Sequence, residues 1–219
     1  MKIKRLSIIL IHLSLPFLLF TGCLKDGDDT LVLPTPDGKI PYSVIPERLQ
    51  DSLRDNGFVI HEGINPPSIE GKFKVSPMDL QYASDDYQNN FYDLIMTLSG
   101  QYPRGRVSYS ESQVDTVLGL STMANVIGKG DDFTMYCFQN IAKTNREGDT
   151  LYTCSTATVV SGTIAKEGIH NCQYTNIILD KWAVNDYYAS QIPPVETYRI
   201  WNDGNGLASR LGSTQTTKL

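Results

Sequence analysis

From position 58 onward the chain repeatedly alternates apolar and polar residues with a period of two, the pattern of strands that bury one face. Phe73 and Val75 alternate with Lys72 and Lys74, and Phe133, Met135 and Cys137 alternate with Thr134, Tyr136 and Phe138. In the second stretch both faces carry large side chains, so neither faces only water. The alternation predicts strands at 58–61, 69–76, 91–101, 106–110, 115–127, 132–144, 149–161, 168–180 and 196–202. Turn-forming clusters separate them at 102–105, 128–131, 145–148, 166–168 and 202–206. Upstream, IPERLQDSLRDNG (45–57) predicts a short helix. Pro46 suits its first turn, Glu47 complements its positive end, Leu49 and Leu53 share one face, and Asn56-Gly57 ends it. So narrow an apolar stripe must lie against something else. Successive strands joined by short turns, with no helices between them, imply an antiparallel meander that removes its edges by curling into a barrel or folding into a sandwich. Several of these strands are long, which favours a strongly tilted or coiled sheet.

The first residues follow a different pattern. Lys2, Lys4 and Arg5 precede a mostly apolar stretch over 6–20, interrupted by Ser7, His12, Ser14 and Pro16. This is the charged-then-apolar layout of an export signal. It is shorter than the roughly 20 residues a spanning helix needs, and removal is expected. The run Leu19-Phe20-Thr21-Gly22-Cys23 resembles the lipobox of bacterial lipoproteins, although Phe20 stands where that pattern usually has Leu. The resemblance implies a diacylglyceryl group on the Cys23 sulfur and cleavage before it, with palmitate-like chains holding the protein on a membrane. Behind it, Lys25, Asp26, Asp28 and Asp29 resemble the export tag of Bacteroidota surface lipoproteins. That implies the outer membrane, facing the cell exterior. Position 37 is Asp rather than the Glu an EF-hand loop needs, so these acids read as a label rather than a calcium loop. Three regions follow: a signal peptide over 1–22, a lipidated N-terminus and Pro-rich tether over 23–44, and one β-rich domain over 45–219 with an N-terminal helix and a polar C-terminal tail.

Composition narrows the function classes. The 219 residues carry a formal charge of −5; loss of 1–22 lowers Lys plus Arg from 19 to 16 against 24 acids, giving −8. Such a chain is a poor partner for nucleic acid or an anionic lipid surface. His61 and His170 stand far apart with no second ligand at metal spacing, so no metal site, catalytic triad or cofactor is predicted. His170-Asn171-Cys172 is too local for a cysteine hydrolase. The acid pairs Asp131/Asp132 and Glu196/Asp203 fall in turns, where acids serve as solvated caps. With Cys23 acylated, Cys137, Cys154 and Cys172 remain in an oxidising compartment. Pairing across 145–148 sets Cys137 opposite Thr156 with Cys154 diagonal to it, and a bulge plus a slip would permit a Cys137–Cys154 disulfide; three buried free thiols are the other reading.

Two longer resemblances bear on the domain. Residues 45–80, with Pro66-Pro67, Ile69-Glu70-Gly71 and Ser76-Pro77, look like the opening of uncharacterised Bacteroidota lipoproteins. Gly71-Lys72-Phe73 after a helix, Arg199 in the last predicted strand and Asn185-Asp186-Tyr187 resemble the lipocalin or calycin superfamily. There, Gly-x-Trp meets a late arginine and a Thr-Asp-Tyr motif occurs. Phe73 replaces the Trp, the C-terminal helix is missing and the chain after Gly204 is polar. The resemblance implies a mainly β fold, an antiparallel meander closing into a calycin-like barrel beside a short N-terminal α-helix. Trp182, Tyr187 and Tyr188, in the one long late insertion (182–194), are the aromatic side chains expected to meet a ligand. The expected function is non-enzymatic binding of a small apolar or glycan ligand in or at the mouth of the barrel. The alternative is an accessory subunit docking on an outer-membrane protein partner.

Overall fold

The alternating segments pair largely in chain order. In the computed structural model, which describes residues 33–89, 92–102, 105–113 and 119–212, the strands are β1 (Ile64–Asn65), β2 (Gly71–Val75), β3 (Met78–Ala83), β4 (Leu94–Tyr102), β5 (Arg106–Gln113), β6 (Gly119–Lys129), β7 (Asp132–Thr144), β8 (Thr150–Ile164), β9 (Gly168–Ala183), β10 (Tyr198–Asp203) and β11 (Leu207–Leu211). Strands β4 to β9 each pair with the next, β9 pairs with β11, β11 with β2 and β2 with β4. This closes an eight-stranded antiparallel barrel, the fold the sequence predicts.

The β4–β5, β6–β7 and β8–β9 turns define a lower end, and the β7–β8 turn marks the upper end. Higher up, the barrel opens into two sheets. The β6–β7 ladder stops at Asn125 opposite Tyr136, after which β6 runs on with β5 and β7 with β8. Beyond Val75 opposite Leu94, β2 gives way to β3, which pairs with β10 instead of β4. The upper mouth therefore lies between β4–β5–β6 on one side and β7–β8–β9–β10–β3 on the other.

Inward-facing residues fill the lower and middle barrel, among them Phe73, Met96, Val107, Phe133, Met135, Ile169 and Trp201. The outward face of the β7–β10 wall is buried too, beneath α1 (Glu47–Asp55) and the segment before it. Leu49, Leu53 and Phe58 pack there with Tyr136, Val159, Ile177 and Ile200. That cover explains why β7 carries large side chains on both faces. Gln50 is buried in this layer but donates to the carbonyls of Ile40 and Ile45, so its amide N–H groups are not wasted. The incoming chain is fixed by a backbone relay: Gly63 N–H to Gly38 C=O at 2.9 Å, and Gly128 N–H to Gly63 C=O at 3.0 Å. At Gly63 a Cβ would lie 2.5 Å from the Gly128 carbonyl oxygen, so only glycine lets the two backbones approach.

Three elements differ from the sequence reading. Residues 58–61 form no strand and instead run over the wall, where Val59 N–H donates to Gln173 and His61 N–H to Thr134. β3 follows Pro77 in a stretch where the alternation predicts no strand. β11 lies in the stretch read as a polar tail, and it is the strand that closes the barrel.

Candidate functional site

The closed end carries the feature expected of a calycin, with a different arginine. Arg210 of β11 stands opposite Phe73 of β2, with its guanidinium 4.6 Å from the ring centroid. It also donates to the carbonyls of Glu70 (2.7 Å) and Lys166 (3.2 Å). Arg199, expected in that role, lies higher, on β10. It forms a two-point ion pair with Asp85 (3.0 and 2.6 Å) and lies 3.9 Å from the Tyr87 ring centroid. Tyr87 in turn meets Trp201 edge-on at 6.4 Å.

Moving up the inner wall, the lining turns polar. β5 directs Val107, Tyr109 and Glu111 inward. Glu111 accepts hydrogen bonds from the Tyr109 hydroxyl and, at 3.1 Å, from the Tyr174 hydroxyl of β9. Tyr109 is fully buried and Tyr174 nearly so, while Glu111 keeps partial exposure. Burial raises the Glu111 pKa, against the two hydroxyl donors that favour the ionised form. Both tyrosines are pushed well above the ordinary phenol value, mainly by burial and then by the neighbouring carboxylate. At the same level, Cys137 of β7 stands opposite Thr158 of β8, which accepts from Asn176 of β9 at 3.0 Å.

One inward position higher, about 7 Å along the strands, Gln139 faces Thr156. Gln139 is 7% exposed and Thr156 is 3% exposed. Among the described residues, neither polar atom of the Gln139 amide, nor the Thr156 hydroxyl, has a hydrogen-bond partner. A buried polar group left unpaired costs about 1–3 kcal/mol, so a fold retains such a pair only for a reason. The pair lies just beyond the point where β7 loses β6.

Above this level, residues 184–195 lie against the inward side of the β7–β9 ribbon. Lys181 donates to the carbonyls of Ile192 (3.0 Å) and Ala189 (3.4 Å). Lys143 stands 5.8 Å from the Tyr152 ring centroid and 5.9 Å from that of Tyr188. The segment contains one helical turn, α2 (Asp186–Ala189), capped by Asn185 accepting from Tyr188 N–H. The three expected aromatic residues are thus divided. Tyr188 is at the mouth; Tyr187 meets it edge-on at 5.1 Å but points largely to solvent. Trp182 alternates to the opposite face from Lys181 and is 53% exposed.

Cys137, Cys154 and Cys172 are free and buried. The expected Cys137–Cys154 disulfide does not form, because the β7–β8 register is shifted from the predicted one. Cys137 stands opposite Thr158 and Cys154 opposite Ile141, which puts four residues, about 13 Å, between the thiols along the ladder. Burial raises the pKa of all three. Cys23 and the acidic run Lys25, Asp26, Asp28 and Asp29 lie outside the described residues.

Two other hollows open on the surface. One of about 360 Å³ lies where β9 passes from β11 to β10, with Val59, His61, Gln173 and Asp203 in its lining. Its polar groups are already engaged: Asp203 accepts from the N–H groups of Ser76, Asn205 and Leu207, and Gln173 accepts from Val59 and donates to Gly57. The other, about 400 Å³, lies at the lower end near Glu70 and Gln101, where Gln101 bonds Ile69 N–H and Glu70 accepts from Gln101 N–H. Neither hollow gathers unpaired polar groups as the mouth does. Among the described residues no three His, Cys, Asp or Glu side chains converge as metal ligands, and no helix is long and apolar enough to cross a membrane. Comparison with known proteins finds no matching family model, no matching curated protein and no matching solved structure.

Proposed function

We propose that this protein is a lipid-anchored, outward-facing and non-enzymatic binding protein that takes a small ligand at the mouth of its barrel. The observation that carries the reading is the Gln139/Thr156 pair, buried and unpartnered above the Glu111 cluster. An amide with both atoms unpaired beside an unpaired hydroxyl offers two donor groups and two acceptor oxygens to a ligand with matching groups. The lower barrel is packed with Phe73, Met96, Phe133 and Trp201, so the reading narrows from a deep apolar cavity to the mouth. A ligand bearing hydroxyl or amide groups fits that lining better than a purely apolar one. Entry calls for displacement of residues 184–195, which few inward contacts hold.

Thermal-shift and calorimetric titration of the full-length protein with monosaccharides and small aromatic alcohols and amines tests the reading. Gln139→Leu is expected to weaken any ligand so found by tenfold or more without loss of fold. Equal affinity in that variant, or no ligand in the panel, would overturn it. The anchor is tested separately: Cys23→Ser should move the protein from the membrane fraction to the soluble fraction, and continued sedimentation with membranes would refute it.

A further inference from the structure

We propose that the ligand carries a primary ammonium group, held on the Glu111 carboxylate beside the hydroxyls of Tyr109 and Tyr174. The inference rests on the mouth being a ligand site and adds the chemical class of the ligand.

Glu111 is surrounded by groups that leave its charge unmatched. Its two partners are tyrosine hydroxyls, which donate hydrogen bonds but bring no positive charge. Among the described residues no Lys, Arg or His forms an ion pair with it. The inward-facing cations along this wall are committed elsewhere: Lys181, opposite Cys154 and so about 13 Å up the ladder from Cys137, donates to the carbonyls of Ile192 and Ala189. Arg199, level with Cys137 across the β7–β10 wall, is taken by both oxygens of Asp85. Lys143 lies six residues up β7 from Cys137, about 20 Å along the strand, between two tyrosine rings. A carboxylate removed from water without a counter-charge is costly, and the usual remedies are a proton or a cation. Burial raises the Glu111 pKa, which is the mark of a carboxylate short of a counter-charge.

The surroundings suit an ammonium group. The Tyr109 and Tyr174 hydroxyls both reach the same carboxylate, and their oxygens can accept from the N–H groups of an alkylammonium whose charge pairs with the acid. Glu111 keeps partial exposure while both tyrosines are buried, so the acid is the part of the cluster a ligand reaches. Gln139 and Thr156, one inward position above, would then meet hydroxyl or amide groups further along the ligand. An ammonium docking on the Glu111 carboxylate forms an ion pair with R–NH₃⁺, with no covalent bond made or broken. The groups facing Glu111 are Tyr109 on its own strand, Tyr174 on β9 and Cys137 on β7. Burial raises the pKa of each, so none of them supplies a competing charge near neutral pH.

The test pairs each amine with its neutral counterpart on the full-length protein: phenethylamine against 2-phenylethanol, and glucosamine against glucose, by calorimetry at pH 7. In at least one pair the amine should bind tenfold or more tightly than its counterpart. Glu111→Gln, close in shape and free of the acid, should abolish the preference. Equal affinities within both pairs, or a preference that survives Glu111→Gln, would overturn the inference. The comparison of each amine with its neutral counterpart on the unaltered protein decides independently of whether the variant folds. Binding of the neutral compounds that is lost in Gln139→Leu, with no amine preference, would leave the mouth as a ligand site and remove only the ammonium. Binding of none of the four would count against both.

Discussion

At the lower end of the barrel, Phe73 is fully buried beneath Arg210, whose donors reach two backbone carbonyls, so packing and hydrogen bonding support each other. At the upper end, among the described residues, the barrel wall holds an acid without a cation, an amide without partners and a hydroxyl without partners. The lower end is what a barrel needs in order to stay closed. The upper end gives up stability, and natural folds concede stability mainly where binding requires it.

That contrast can be broken by mutation. Phe73→Ala should cost about 3–5 kcal/mol in urea unfolding, the usual loss for a buried phenylalanine, and Arg210→Ala a smaller part of that. If Phe73→Ala cost less than Gln139→Ala, the assignment of the closed end would be wrong. At the mouth the sign should reverse: Gln139→Leu removes an unpaired amide and should stabilise the unliganded protein by about 1 kcal/mol. A loss of similar size would mean that the amide is satisfied in solution. Two acids of the upper half should then show opposite slopes with pH. The Glu111 pKa is raised by burial, so its contribution is fully present below the unfolded value of about 4.3 and is lost as pH rises through the folded value. The stability of Glu111→Gln relative to the parent should therefore grow from pH 4 to 7. The Asp85 pKa is lowered by hydrogen bonds from Arg199. Its contribution is present above the unfolded value of about 3.9 and is lost as pH falls through the folded value, so the cost of Asp85→Asn should shrink on acidification. Parallel slopes in urea titrations would contradict one assignment. The smallest effect is expected from reductant: with three free buried thiols, dithiothreitol should leave the melting temperature unchanged. In Cys23→Ser protein, thiol alkylation should add three groups, and only after unfolding.

The lower end was more legible in the sequence than the upper. Alternation located Phe73, Phe133 and Met135, and the large side chains on both faces of 133–138 anticipated a covered outer wall. The closing arginine was assigned to Arg199 because LASRL over 207–211 is short, polar in part and enclosed by glycines, so β11 was missed. Its hydrogen bonds to β2 and β9, contacts distant in sequence, are what make it a strand. At the upper end the obstacle was local. The predicted strand 106–110 stopped one residue short of Glu111, in a run with serine at 108, 110 and 112 that gives alternation little contrast. Gln139 belongs to a stretch with large residues on both faces, and only the register across β8 shows that it points inward without a partner. The aromatic residues of the late insertion drew attention because aromatic side chains stand out in a sequence, yet unpaired polar atoms cannot be seen there.

The backbone relay Gly38–Gly63–Gly128 has a bearing on orientation. Gly128 lies beside the β6–β7 turn, at the plugged end of the barrel, so the chain arriving from the N-terminal side joins the domain there. If Cys23 is held in a lipid leaflet, the leash meets the barrel at its base. The mouth then faces away from that leaflet, with the plugged end turned toward the membrane.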